Sequence, residues 1–283
     1  MTERVKKYSK APLPFVGQKR NFLKDFAHIL DSNISNDGEG WTIVDAFGGS
    51  GLLANNAKYL KPKATVIYND YDNYVERLQH INDTEKLRVL LLDIVDKYQY
   101  VKKQKISEQC KQEILTAIEN FSGYKDYLTI GSWLAFSGKI VKTFDDLAKI
   151  NLYYRIVDCE LNAESYLTNI HITKQDFKKL LAEYKYKEKT LFILDPPYLC
   201  TEQRFYKQDN YFNVVDFAEL INLTRPPFIF FSATKSEFIS YINFIMKNKS
   251  PNYESFINAQ IIRKNSVINK DVFYQDNILY KFA

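Results

Sequence analysis

The chain has 283 residues, 46% of them hydrophobic and 26% charged, enough length and apolar content to fill a large core, which excludes a disordered or fibrous protein. Lys and Arg number 39 against 34 Asp and Glu, a formal charge of +5. That excess permits a polyanionic partner but falls well short of a histone-like binder.

Three cysteines, Cys110, Cys159 and Cys200, are too widely spaced for a CxxC clip and too few for an even disulfide framework. They point to a reducing, cytoplasmic compartment. The histidines His28, His80 and His171 are equally scattered, so no metal site is expected. The charged opening MTERVKKYSK leads into no signal-like apolar core, and no later apolar run approaches the roughly 20 residues that span a bilayer. No membrane partner is expected. Aromatic content is high, with 21 Tyr, 20 Phe and 2 Trp; ordinary packing accounts for most of it, and a base-stacking surface is the sharper reading.

In chain order, the apolar run Trp41 to Asp45 ends in Gly-Gly-Ser-Gly and passes into LLANNAKYL at helical spacing, the pattern of strand, glycine turn and helix. A second run, Ala64 to Asp70, closes on an acid and precedes a helix predicted from Tyr71 to Leu91, completing a βαβ unit with a parallel sheet. From about 97 to 162 the character changes to charge-rich helical text and an aromatic, glycine-containing stretch. The α/β pattern resumes at SYLTNIHI, followed by helix DFKKLLAEY, strand TLFILD, helix VVDFAELINL, strand FIFFSAT and helix SEFISYINFIM. Phe256 to Arg263 and Asn277 to Phe282 read as an antiparallel pair at the sheet edge. The expected fold is therefore α/β: a doubly wound, mostly parallel sheet with an antiparallel edge hairpin, built from residues 1–96 and 163–283 and interrupted by a mainly helical domain at 97–162.

Three strand ends carry chemistry. Asp45-Ala-Phe-Gly-Gly-Ser-Gly51 lies where an open α/β sheet offers its ligand crevice, and its glycines allow close approach of backbone to a ligand. The spacing of Gly48, Gly49 and Gly51 is not the dinucleotide GxGxxG fingerprint, which disfavours a nicotinamide cofactor. Asp70 ends the next strand roughly 20 residues further on, where an acid can accept both hydroxyls of a ribose. Alone it would be an ordinary turn former; behind the glycine loop it implies a nucleoside-bearing ligand. Asp195-Pro196-Pro197-Tyr198 follows the apolar strand LFIL. Its prolines hold the backbone extended and remove two N–H donors, so this exit presents acceptors only. The Asp195 carboxylate and Pro196 carbonyl can take both hydrogens of an exocyclic amine, and the Tyr198 ring can stack on the base that carries it.

The order Pro14-Phe15-Val-Gly17-Gln-Lys19, then DAFGGSG, then the acid of YND, then Asp176-Phe177, then DPPY, resembles the Dam-type (alpha-group) adenine-N6 DNA methyltransferases over nearly the whole length. The resemblance implies a Rossmann-like, S-adenosylmethionine-dependent catalytic domain and makes residues 97–162 the target-recognition domain. It implies that Phe15, Gly17 and Lys19 lie over the methionine portion of S-adenosyl-L-methionine, although Phe-Val-Gly-Gln-Lys departs from the commoner Trp-x-Gly-Gly-Lys. Asp45, Phe47, Gly48, Gly49 and Gly51 would hold the methionine end, Asp70 the ribose, and Asp176 with Phe177 the adenine. Asp195, Pro196, Pro197 and Tyr198 would be the catalytic tetrad. Read without the family, Lys19 is as readily a solvated surface lysine, and Asp176 a helix N-terminal acid.

The implied substrate is duplex DNA, with the target adenine flipped out of the stack and a cognate restriction endonuclease as a further partner. Candidate phosphate contacts are Lys102, Lys103, Lys105, Lys125, Lys139, Lys142 and Arg155; Tyr124, Trp133 and Tyr154 are candidates near bases. The stretch after DPPY, with Arg204, Tyr206, Lys207 and Tyr211, reads as a lid. Alternatives are an N-methyltransferase acting on RNA or on a protein glutamine, and an inactive nucleic-acid-binding relative.

Overall fold

A computed structural model describes residues 4–136, 139–198, 212–233, 237–269 and 272–282, with backbone alone for 266–269 and 272–274. In chain order the helices and strands are α1 (Leu23–Asn33), β1 (Thr42–Asp45), α2 (Leu52–Leu60), β2 (Thr65–Asn69), α3 (Tyr74–Gln79), α4 (Ile81–Asp96), α5 (Glu108–Asn120), α6 (Tyr127–Leu134) and α7 (Phe144–Ala148). They continue with β3 (His171–Thr173), α8 (Phe177–Tyr184), β4 (Thr190–Leu194), α9 (Val214–Leu223), β5 (Phe228–Ala233), α10 (Phe238–Asn248), β6 (Gln260–Asn269) and β7 (Val272–Lys281). The chain divides into two compact units: Met1–Lys10, Gly17–Asp72 and Ser165–Ala283 form the first, and Ala11–Val16 with Asn73–Glu164 the second.

The first unit is a seven-stranded sheet in the order β3-β2-β1-β4-β5-β7-β6, parallel through β5, with β7 antiparallel to both neighbours. This is the expected α/β architecture with its antiparallel edge. The central strands β4 and β5 are buried on every residue, which is why both read as unbroken apolar runs rather than alternating ones. Along β5, Phe230 stacks on Phe238 of α10 at 3.9 Å, while Phe231 meets Phe22 edge-on at 5.8 Å. Adjacent residues thus serve opposite layers of helices.

Two polar residues inside the otherwise apolar α2 have a specific use. Asn55 donates to the carbonyls of Lys6 (2.8 Å) and Tyr166 (2.7 Å) and accepts from the Tyr8 amide, and Asn56 donates to the Tyr8 carbonyl at 2.9 Å. Burial of both amides is tolerated because they replace the hydrogen bonds that the N-terminal arm would otherwise make to water. At the far end of the sheet Arg225 lies 4.7 Å over the Phe192 ring and donates to the carbonyls of Tyr184 (2.7 Å), Lys185 and Thr190 (3.2 Å), closing the C-terminus of α8.

The hairpin is longer than expected. β7 starts at Val272 rather than Asn277, and residues Tyr253–Phe256 form a 3-10 turn before β6. The helix expected from Tyr71 to Leu91 is two helices, α3 and α4, meeting at His80, and Asn73 takes a left-handed φ of 58° just before α3. Apolar spacing carried across the junction hid it.

The second unit packs α4 to α7 around a core that includes Leu87, Leu91, Ile114, Ile118, Trp133 and Leu152. Its boundaries contain the segment 97–162 and extend further, to Asn73 and to Ala11–Val16. The Tyr74 hydroxyl donates to the Leu13 carbonyl and accepts from the Leu13 amide, both at 2.9 Å. Arg77 donates to the Pro14 carbonyl (2.9 Å) and pairs with Asp126 (3.0 Å). Trp133 and Tyr154 are core residues of this unit, 1% and 8% exposed, so neither offers a ring to a base. Tyr124 stacks on His80 at 4.4 Å, and the Lys102 ammonium is engaged by Asp158 at 2.6 Å and by the Ile156 carbonyl. No described helix is long and apolar enough to cross a membrane, and no group of metal-ligating side chains exists among the described residues.

Candidate active site

The register of the sheet brings the predicted strand ends together. Asp45 of β1 lies opposite Tyr68 of β2 on one side and Ile193 of β4 on the other. Because all three strands run parallel, their carboxyl ends open on one crevice, which receives the glycine turn, Asp70 and Asp195.

The turn after β1 is closed by a hydrogen bond from the Gly51 amide to the Gly48 carbonyl at 2.7 Å, with Gly49 and Gly51 at φ of 49° and 73°. Gly48 is required for a different reason: a Cβ there would stand 2.2 Å from Cδ2 and Cε2 of the buried Tyr68 ring. The Tyr68 hydroxyl donates to the Gly49 carbonyl (2.7 Å) and to Asp70 Oδ1 (3.1 Å), linking the glycine turn to the ribose candidate. Burial, and then the Asp70 carboxylate, raise the Tyr68 phenol well above its ordinary range, so it stays a donor. Asn69 donates to the carbonyls of Ala46 (3.0 Å) and Gln175 (2.9 Å), holding the exits of β1, β2 and β3 in one arrangement. Neither Tyr68 nor Asn69 stands out in the sequence; a hydroxyl and an amide inside a buried strand are the signals that could have found them.

Asp45 is wholly buried, and neither carboxylate oxygen has a hydrogen-bond partner among the described residues. Burial first, and the Asp195 charge second, push its carboxyl up to about 8; the Ala54 amide, outside hydrogen-bond geometry, and Lys19 pull the other way. A buried acceptor pair left open in this way fits a cationic ligand group with several N–H donors.

Asp195 follows β4 with its side chain 17% exposed, and Lys19 Nζ reaches its Oδ2 at 2.7 Å. The same ammonium donates to the Gly17 carbonyl at 2.8 Å and lies 5.7 Å from the Tyr198 ring centroid. Lys19 is thus a mostly buried partner of Asp195 rather than a solvated surface lysine. Burial raises the Asp195 carboxyl and Lys19 opposes that rise. Pro196 and Pro197 are buried behind it, against Phe217, Phe230 and Phe238.

A shallow crevice, open to solvent, is lined by Phe47, Asn69, Asp176, Phe177, Phe212 and Asp216 among others. Phe47 lies 5.1 Å from Phe177 and 5.9 Å from Phe212, a packed group of three rings beside two carboxylates in which Phe177 is 9% and Phe212 2% exposed. Asp176 is the helix N-terminal acid of the family-free reading. One oxygen caps α8 by accepting from the Lys178 amide at 2.8 Å, and the residue also lines this crevice. Phe212 escaped the sequence reading because nothing local separates it from a core phenylalanine. Phe15 belongs to the second unit, edge-on to Tyr74 at 5.9 Å. The lid residues Arg204, Tyr206, Lys207 and Tyr211, together with Cys200, lie outside the described residues.

No family model matches the chain. A Haemophilus influenzae protein described as "Putative methyltransferase" is 47% identical over 278 residues, covering 98% of this chain and 94% of that protein. The chain belongs to the methyltransferase family of which that protein is a member.

Proposed function

We propose that this methyltransferase transfers a methyl group from S-adenosyl-L-methionine to the exocyclic N6 of a flipped adenine in duplex DNA. The observation that carries the reading is the exit Asp195 to Tyr198, whose two prolines carry no N–H, standing beside a glycine turn whose own acid, Asp45, is buried with both oxygens open among the described residues. The residues fit the cofactor part by part. Asp45 suits the methionine ammonium, Gly48 and Gly49 leave room for its chain, Asp70 can accept ribose hydroxyls, and Asp176 with Phe177, beside the half-buried Phe47, can meet the adenine. Bound there, S-adenosylmethionine supplies a methyl group already activated as a sulfonium.

The remaining work falls to the chain. Adenine N6 is a poor nucleophile because its lone pair is delocalised into the ring. Asp195 and the Pro196 carbonyl hold its two hydrogens, so the lone pair is turned out of the ring and towards the methyl donor. Lys19 keeps Asp195 paired while no amine is present, sparing a bare charge in a mostly buried place. The arriving amine displaces that ammonium, and Asp195 Oδ2 becomes the acceptor nearest to the proton shed after transfer. The Tyr198 ring supplies the stacking face for the extruded base. The second unit, rich in lysine, is the candidate source of DNA contacts and of sequence readout.

Labelled-methyl transfer from S-adenosylmethionine to duplex DNA, RNA and protein tests this. Label is expected in DNA alone, as N6-methyladenine. Label confined to RNA or to protein glutamine would replace the reading with one of its alternatives, and absence of transfer to all three would favour an inactive relative. Mapping methylated positions in a genome with and without the gene would then name the base and its target context. For Asp70→Ala, loss of charged hydrogen bonds to the ribose is expected to weaken cofactor affinity about 10- to 100-fold by calorimetry; unchanged affinity would reject the ribose role.

A further inference from the structure

We propose that Asp45 carries a proton in the ligand-free protein and sheds it when a ligand ammonium docks on its two oxygens, so that cofactor capture releases one proton to solvent. The proposal rests on the cofactor reading above and deepens it.

Among the described residues, the groups facing Asp45 come from four places. From the exit of β4 comes the Asp195 carboxylate, which repels a second negative charge. The N-terminal segment brings Lys19, whose ammonium is already held by Asp195 at 2.7 Å and by the Gly17 carbonyl at 2.8 Å. Tyr68 of β2 points its hydroxyl elsewhere, to Gly49 and Asp70, and α2 presents only the Ala54 amide. Two carboxyl groups therefore share one cation in a largely buried space, and the cation is committed to the second of them. Asp45 makes no hydrogen bond through either oxygen among the described residues. The low-energy arrangement is neutral Asp45, anionic Asp195 and cationic Lys19, since an ionised Asp45 would be a buried charge without a partner.

A ligand ammonium changes that balance by bringing a positive charge and three N–H donors to the open oxygens. The Asp45 O–H bond then breaks, its electron pair remains on the carboxylate, the proton passes to water, and the ammonium keeps all three hydrogens. The site gains one positive charge and loses another, so no net charge is buried.

The test is calorimetry of S-adenosyl-L-homocysteine binding to the full chain at pH 6.5, repeated in buffers of different ionisation enthalpy. This probe carries the ammonium without the sulfonium, and an α-amino group is charged at that pH. The slope of observed enthalpy against buffer enthalpy counts protons. About one proton released at pH 6.5 is expected, with release fading as pH rises past about 8, where Asp45 is already ionised before binding. Asp45→Asn should bind more weakly and release none. Asp195→Asn removes the repelling charge and should move the fading of release to lower pH. Carbon-13 carboxyl spectra of the ligand-free wild type should show one aspartate titrating near 8, with that signal absent from Asp45→Asn. Tight binding without proton release, undiminished release by Asp45→Asn, or an unmoved release profile in Asp195→Asn would each overturn the proposal and leave the cofactor reading standing. Failure of the wild type to bind the probe at all would overturn both.

Discussion

Asp195→Asn is expected to lower methyl transfer by about 10³-fold while calorimetric affinity for the cofactor stays within about threefold. The substitution is nearly isosteric, so Pro196 and Pro197 keep their packing against Phe217 and Phe230 and the fold should be retained. What changes is polarity at one atom. The amide presents an NH₂ where a carboxylate accepted, which sets donor against donor at the amine and removes the nearest proton acceptor. It also removes the ion-pair partner of Lys19, whose ammonium keeps, among the described residues, the Gly17 carbonyl at 2.8 Å and the Tyr198 ring. Affinity is spared because the open oxygens of Asp45, the Asp70 carboxylate and the phenylalanine crevice are untouched. Turnover at the wild-type rate would remove Asp195 from the reacting centre, and a parallel collapse of cofactor affinity would make it a binding residue instead.

Gly48→Ala is expected to cost about 3 kcal/mol of stability and at least about 100-fold in cofactor affinity. The new methyl group would lie 2.2 Å from two carbons of the Tyr68 ring and 3.0 Å from the Asn69 carbonyl oxygen. A flexible side-chain tip could yield; this ring cannot. Tyr68 is 0% exposed within the sheet, and its hydroxyl is held by the Gly49 carbonyl and by Asp70. Moving the ring breaks the link between the glycine turn and the ribose acid, which couples the stability loss to the binding loss. Thermal unfolding and cofactor titration of the purified variant check both, and native values for either would show that the ring has room to move.

Much of the fold was legible because it is written locally. The runs around Val44, Ile67, Phe192 and Phe230 read as parallel strands because a strand covered on both faces has no polar side to display. The DPPY exit and the glycine turn were legible for the same kind of reason: proline and glycine act on their own backbone torsions wherever they fall. The failures are as specific. The helix drawn from Tyr71 to Leu91 ran through His80 because apolar periodicity does not register a junction between two helices that share one apolar face. Trp133 and Tyr154, candidates for base contact, are interior residues of the second unit, since an aromatic side chain looks the same in sequence whether it packs or waits. The use of Asn55 and Asn56, which hold the arm at Lys6 to Tyr8, was not legible because that arm lies about fifty positions away in the chain.

By itself, the sequence determined which residues stand at the ends of the parallel strands, because periodicity and turn chemistry are properties of neighbours along the chain. The tertiary structure alone decided their surroundings. Asp45, Asp70 and Asp195 are three strand-end acids in the sequence, yet one is buried with both oxygens open, one accepts a tyrosine hydroxyl, and one is paired with Lys19 at 2.7 Å. Desolvation and Coulomb terms depend on distances between residues far apart in sequence, and those exist only once the chain has folded.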